Sequence, residues 1–136
     1  MSMSYPRELS SAEVPLSLSS LVFELARRLL AGDAHEHQVL QTQLASAQID
    51  RVTLTGAGVY AYVKVPKECE LVSPPEMVGG VVEIEIPTLD VPAGSLIRIS
   101  KGKIDYVEIY TFGEKAWPDD PQGACLGFSD PLPIPH

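Results

Sequence analysis

The chain has 136 residues, enough for one domain that buries its own core without staples. With 45% hydrophobic and 21% charged residues it is not a disordered polymer, and a net charge of −8 argues against nucleic-acid binding, which needs clustered Lys and Arg. No run approaches the roughly 20 apolar residues of a membrane span, and no apolar stretch follows Arg7 to make an export signal. A cytoplasmic protein that binds no membrane is therefore expected. The acidity suits a basic partner, and it equally suits plain solubility. Cys69 and Cys125 share no metal-ligand spacing and read as free thiols.

Residues 1–16 carry Pro6 and Pro15 and little periodicity, and read as a loose N-terminal arm. "SLSSLVFELARRLLAGD" places Leu18, Leu21, Val22, Leu25 and Leu29 three and four apart, the stripe of an amphipathic helix. Ser17 or Ser19 can cap it, and Gly32 can end it. A second helix runs through "HEHQVLQTQLASA", with Asp33 as its expected cap and a thinner stripe of Val39, Leu40 and Leu44. The short link makes the two a helical hairpin.

From Ile49 the period changes to two. "DRVTLT" and "VYAYVKVP" flank Gly56-Ala57-Gly58 and predict a β-hairpin. Val52, Leu54, Val59, Ala61, Val63 and Val65 fall on one face, and Thr53, Thr55, Tyr60, Tyr62 and Lys64 on the other. "KECELVSPPEM" reads as a loop or broken edge. "GGVVEIEIP", "SLIRIS" and "IDYVEIYTF" alternate in turn. A three-residue loop, Ser100-Lys101-Gly102, would place Ile97 and Ile99 beside Val107 and Ile109. Five prolines in the last nineteen residues predict an extended tail that crosses the body or is partly disordered.

Two helices followed by about five antiparallel strands make an α+β fold, with the helical hairpin packed on one face of the sheet. The expected limits are an arm over 1–16, a single domain over 17–118 and a Pro-rich tail over 119–136. The other sheet face then gathers Tyr60, Tyr62, Lys64, Glu83, Glu85, Arg98, Tyr106, Glu108, Tyr110 and Phe112. Tyr combines a rigid apolar body with a hydroxyl, which suits recognition. A solvated face with ordinary strand propensity has the same pattern. The candidate binding residues are Tyr60, Tyr62, Arg98, Tyr106, Glu108, Tyr110 and Trp117. Were Trp117 or the tail to fold over Glu108, its carboxyl would be desolvated and suited to acid–base work. Pairing with Arg98 or Lys64 is the plainer fate.

His35 and His37 stand at i and i+2, a spacing that points their rings apart on a helix, and His136 is terminal, so no metal site is expected. No cofactor and no catalytic residue is assigned.

Two blocks, "LTGAGVYAYVKVP" and "GKIDYVEIYTFGEKAWP", together with the two-helix start, resemble those of an uncharacterised family of small bacterial proteins. The likeness covers roughly residues 18–118 and carries no activity with it. It places Tyr60, Glu108, Tyr110 and Trp117 in recurring blocks. Some bacterial proteins of this size and acidity look like immunity partners of toxins. The expected function is thus a non-enzymatic protein-interaction protein, immunity-like in form, using the Tyr/Glu face. A small-molecule binder or hydrolase with Glu108 in a pocket near Trp117 is the alternative, and a homodimer through the same face is a third reading.

Overall fold

The computed structural model describes residues 5–135. Residues 1–4 of the expected arm, and His136, lie outside the described residues. The fold is α+β. Helix α1 spans Leu16–Leu29 and α2 spans His35–Ala45. A six-stranded antiparallel sheet has the order β1-β2-β3-β7-β6-β4, built from β1 (Arg7–Ser10), β2 (Gln48–Leu54), β3 (Gly58–Lys64), β4 (Met77–Gly79), β6 (Gly94–Ser100) and β7 (Lys103–Tyr110). A separate ribbon pairs β5 (Val81–Glu85) with β8 (Cys125–Asp130).

Helix α1 forms without a side-chain cap. Pro15 holds the N-cap position, and Ser17, an expected cap, donates its hydroxyl to the Asp120 carboxylate instead. A cap contributes only about 1 kcal/mol. Burying Leu18, Leu21, Val22, Leu25 and Leu29 contributes about 1.5–3 kcal/mol for each large side chain, so packing decides where the helix starts. The helix packs on β5, β6, β7 and β8, and α2 packs on β7. The helices touch each other only lightly, so each is held by the sheet more than by a hairpin between them. None of the described helices is long and apolar enough to cross a membrane.

The start of α2 also differs from expectation. Ala34, not Asp33, is its N-cap, and the Ala34 N–H donates to His37 Nδ1 at 3.2 Å. His37 is buried rather than solvated, and its Nε2 faces the Leu132 carbonyl at 2.7 Å. A carbonyl only accepts, so Nε2 carries the proton. His35 pairs with Glu70 at 3.6 Å. Gly32 lies past the end of α1, where a Cβ would strike the His37 ring.

Both ends of the chain correct the expected limits. The arm is not loose through 7–13: β1 pairs with β2 and buries Leu9, and a single 3-10 turn follows at Ser11–Glu13. The tail does cross the body, as β8 on β5 and then as Leu132, which is buried and donates its N–H to the Leu29 carbonyl at 2.7 Å. Because β8 is not central in a sheet, the prolines around it cost no ladder bonds. Cys69 and Cys125 are free thiols.

The β6–β7 turn decides which side chains face water. Lys101 and Gly102, with φ of 55° and 77°, make a two-residue turn that pairs Ser100 with Lys103 and Ile99 with Ile104. The three-residue loop expected from the sequence is therefore absent. Such a turn alone would send Tyr106 and Glu108 into the core. The register instead jumps by one, so that Arg98 faces Tyr106 and Ile97 faces Val107. The bulge at Asp105 restores the expected parity by a different route.

Candidate binding face

Parity and register assemble the site. On the face opposite the helices, Thr53, Tyr60, Glu108 and Leu96 form one row across β2, β3, β7 and β6. Arg51, Tyr62, Tyr106 and Arg98 form the next, and Val78 of β4 extends it. The inward set is Val52, Leu54, Val59, Ala61, Ile97, Val107 and Ile109, all buried beneath the helices.

Tyr60, Tyr62 and Tyr106 form a closed trio. Tyr106 meets Tyr60 edge-on with centroids 5.2 Å apart and Tyr62 at 5.6 Å, while Tyr60 and Tyr62 lie 6.5 Å apart. These are the favoured geometries of aromatic pairs. Burial pushes the Tyr60 phenol above its ordinary value, and Glu108 adds to this through its charge and a hydrogen bond. Burial also raises Tyr106, again helped by the Glu108 charge and opposed by Arg98. Arg98 sits 3.9 Å from Glu76, a loose pair between half-exposed groups.

Arg51 belongs to this face and was missed. Its guanidinium lies 3.7 Å above the Tyr62 ring and donates to Glu8 at 3.1 Å, tying β1 to the trio. The signal was available, because Arg51 has the same parity as Thr53. Glu83 and Glu85, expected on this face, are on β5 in the second sheet and join neither row.

Tyr110 shares the face but not the trio. Its neighbours in the ladder are glycines on both sides, Gly58 and Gly94. A Cβ at Gly94 would run into the Tyr110 ring, so the ring covers the glycine. Phe112 stands edge-on to it at 5.3 Å. A depression of about 310 Å³ opens here, lined by Val81, Glu83, Val91, Pro92, Tyr110 and Phe112.

Trp117 does not join the face. It is 3% exposed within the core, its backbone N–H donates to the Gly56 carbonyl at 3.1 Å, and its indole N–H has no partner among the described residues. The wall that would enclose Glu108 is therefore not supplied by Trp117, nor by the tail, which is engaged with β5 and the helices. A larger depression, about 800 Å³, lies away from Glu108 among Phe23, Arg27, Asp33, Gln38, Gln41 and Leu44. Compared with family models, curated proteins and solved structures, the chain matches none.

Proposed function

We propose that this is a non-enzymatic interaction protein of the cytoplasm, immunity-like in form, whose outer sheet face receives a protein partner. The observation that carries the reading is the trio of half-buried tyrosines, packed against one another with Arg51 and Glu108, on a face the helices leave open. Rings already fixed by their neighbours lose little freedom on binding and bring large apolar area with a polar rim. A net charge of −8 favours a basic partner. In this reading Glu108 is a recognition group and a partner to Tyr60, not an acid or base. The likeness of the two sequence blocks to those of small bacterial proteins belongs to the same proposal.

The test uses the full chain as bait for quantitative crosslinking in cells that express it, beside a variant carrying Tyr60→Ser and Tyr106→Ser. The expected result is loss of specific partners from a variant whose circular dichroism is unchanged. An unchanged partner set refutes the reading. Light scattering on both proteins identifies the remaining occupant: a dimer that the substitutions dissociate would make the partner a second copy of the chain.

A further inference from the structure

The depression beside the trio has a composition of its own. Two aromatic rings, Tyr110 and Phe112, meet at 88° with centroids 5.3 Å apart, and both line the depression. Phe112 is 71% exposed and Val91 is 45% exposed, so two apolar side chains meet solvent at the same depression. The Glu83 carboxylate stands on the same lining. It has neither an ion pair nor a hydrogen bond among the described residues; other exposed acids such as Glu68 and Glu114 share that, so what sets Glu83 apart is its place beside the two rings.

Aromatic faces are negative, and an unpaired carboxylate beside them adds to that field. A volume of about 310 Å³ is at the bottom of the range for small-molecule pockets and holds one long side chain. The chemistry that answers every wall is a lysine or arginine side chain. Its methylene stem would lie on Val81, Val91 and Pro92, its charge against the rings and Glu83.

We propose that the Tyr110–Phe112–Glu83 depression is a recognition site for one Lys or Arg side chain of the partner protein. The inference rests on the interaction reading above and specifies its partner as basic. Gly94 is the residue that makes the site, because a Cβ there would occupy the space that the Tyr110 ring fills.

The probes are three blocked peptides, acetyl-Gly-Lys-Gly-amide, its arginine counterpart and its norleucine counterpart, titrated into the labelled full-length protein by NMR. The lysine and arginine peptides are expected to give saturable shifts at Gly94, Tyr110 and Phe112, and the norleucine peptide none. Phe112→Ala should weaken binding by roughly three- to thirtyfold, and Glu83→Gln by roughly two- to fivefold. Both side chains are exposed, so neither change threatens folding. Equal binding of norleucine, or the absence of saturable shifts at those three residues, overturns the proposal. The Tyr60→Ser/Tyr106→Ser variant separates the two readings. It should bind the lysine peptide as well as the parent does, and shifts confined to the trio would sink this site while leaving the face itself standing.

Discussion

Gln43 is the residue whose loss should do most damage for its size. It sits on α2, 2% exposed, and its side chain ends at the β6–β7 turn. Nε2 donates to the Glu70 carbonyl at 2.7 Å and to the Gly102 carbonyl at 3.0 Å, and Oε1 accepts the Ile104 N–H at 3.0 Å. Ile104 directly precedes the bulge that turns Tyr106 and Glu108 outward. In Gln43→Met, a change of similar length, the Ile104 N–H loses its side-chain acceptor in a buried setting. Gly102 keeps its bond from the Val72 N–H at 3.1 Å, and the part-buried Glu70 carbonyl can turn to water. One orphaned donor costs about 1–3 kcal/mol and each lost bond about 1 kcal/mol, offset in part by the apolar replacement, for a net loss of about 2–4 kcal/mol. Urea unfolding at constant m-value measures the loss. Amide exchange at Ile104 should quicken alongside it. Gln43→Glu sharpens the test. At neutral pH a carboxylate oxygen would face the two carbonyls, so this variant should be worse than the methionine and recover as acid restores a donor. A loss under about 1 kcal/mol for Gln43→Met, well below the orphaned-donor range, with Ile104 exchange unchanged, would refute the reasoning.

The other expectations rest on separate features. Tyr60 and Tyr106 hold their protons more tightly in the fold than in the open chain, whose phenols titrate near 10.0. The stability they contribute is therefore complete below about pH 10 and lost as pH rises through the folded values. Ultraviolet titration of Glu108→Gln should show both phenols ionising at lower pH than in the parent, and an unmoved titration would refute the part given to Glu108. At Gly58 a Cβ would drive into the Ile109 carbonyl oxygen of the neighbouring strand, where backbone must give way. Gly58→Ala should cost more than about 3 kcal/mol or prevent folding, as judged by denaturation. The clash at Gly94 is with the far end of the Tyr110 side chain, so Gly94→Ala should cost no more than about 1–2 kcal/mol while displacing that ring. Leu132→Ala should lose about 2–5 kcal/mol and expose the tail to limited proteolysis, because Leu132 is 1% exposed and bonded to Leu29 and His37.

What was legible in the sequence was whatever repeats locally. The α1 stripe, the β2–β3 hairpin and the alternation within each of β3 and β7 can all be read from residues close together in the chain. The features that escaped depend on partners far along the chain. "RELS" becomes β1 only because β2 has an open edge beside it, and "CLGFSD" becomes β8 only because β5 leaves the main sheet. That departure follows Gly79 and Gly80, with φ of 152° and 76°, where the chain crosses from one sheet to the other. It also removes Glu83 and Glu85 from the face to which alternation assigned them. His37 and Gln43 look like solvated helix residues by composition, yet both are buried, since each meets a backbone group that needs it. In the sequence Trp117 reads as a binding residue able to fold over Glu108, whereas a large apolar ring gains more from the core than from a half-solvated face.

The size of the open face bears on what can bind there. Six strands about 4.8 Å apart and about seven residues long present roughly 25 Å by 25 Å, on the order of 600 Å². A stable interface of standard size takes about 800 Å² from each partner. The sheet face falls short of that, the more so because β1 and β4 are only 4 and 3 residues long. The Tyr110–Phe112 depression adds apolar area from β5 and the 91–92 segment, next to the trio but outside the ladder. A partner that used both would bury more than the sheet face alone and would be read by two different chemistries, flat aromatic packing at the trio and a single cation at the depression. A partner confined to the trio would be weak and transient. Removing Phe112 should therefore shorten the lifetime of the complex more than it slows its formation, because the loss falls on a contact made only after docking.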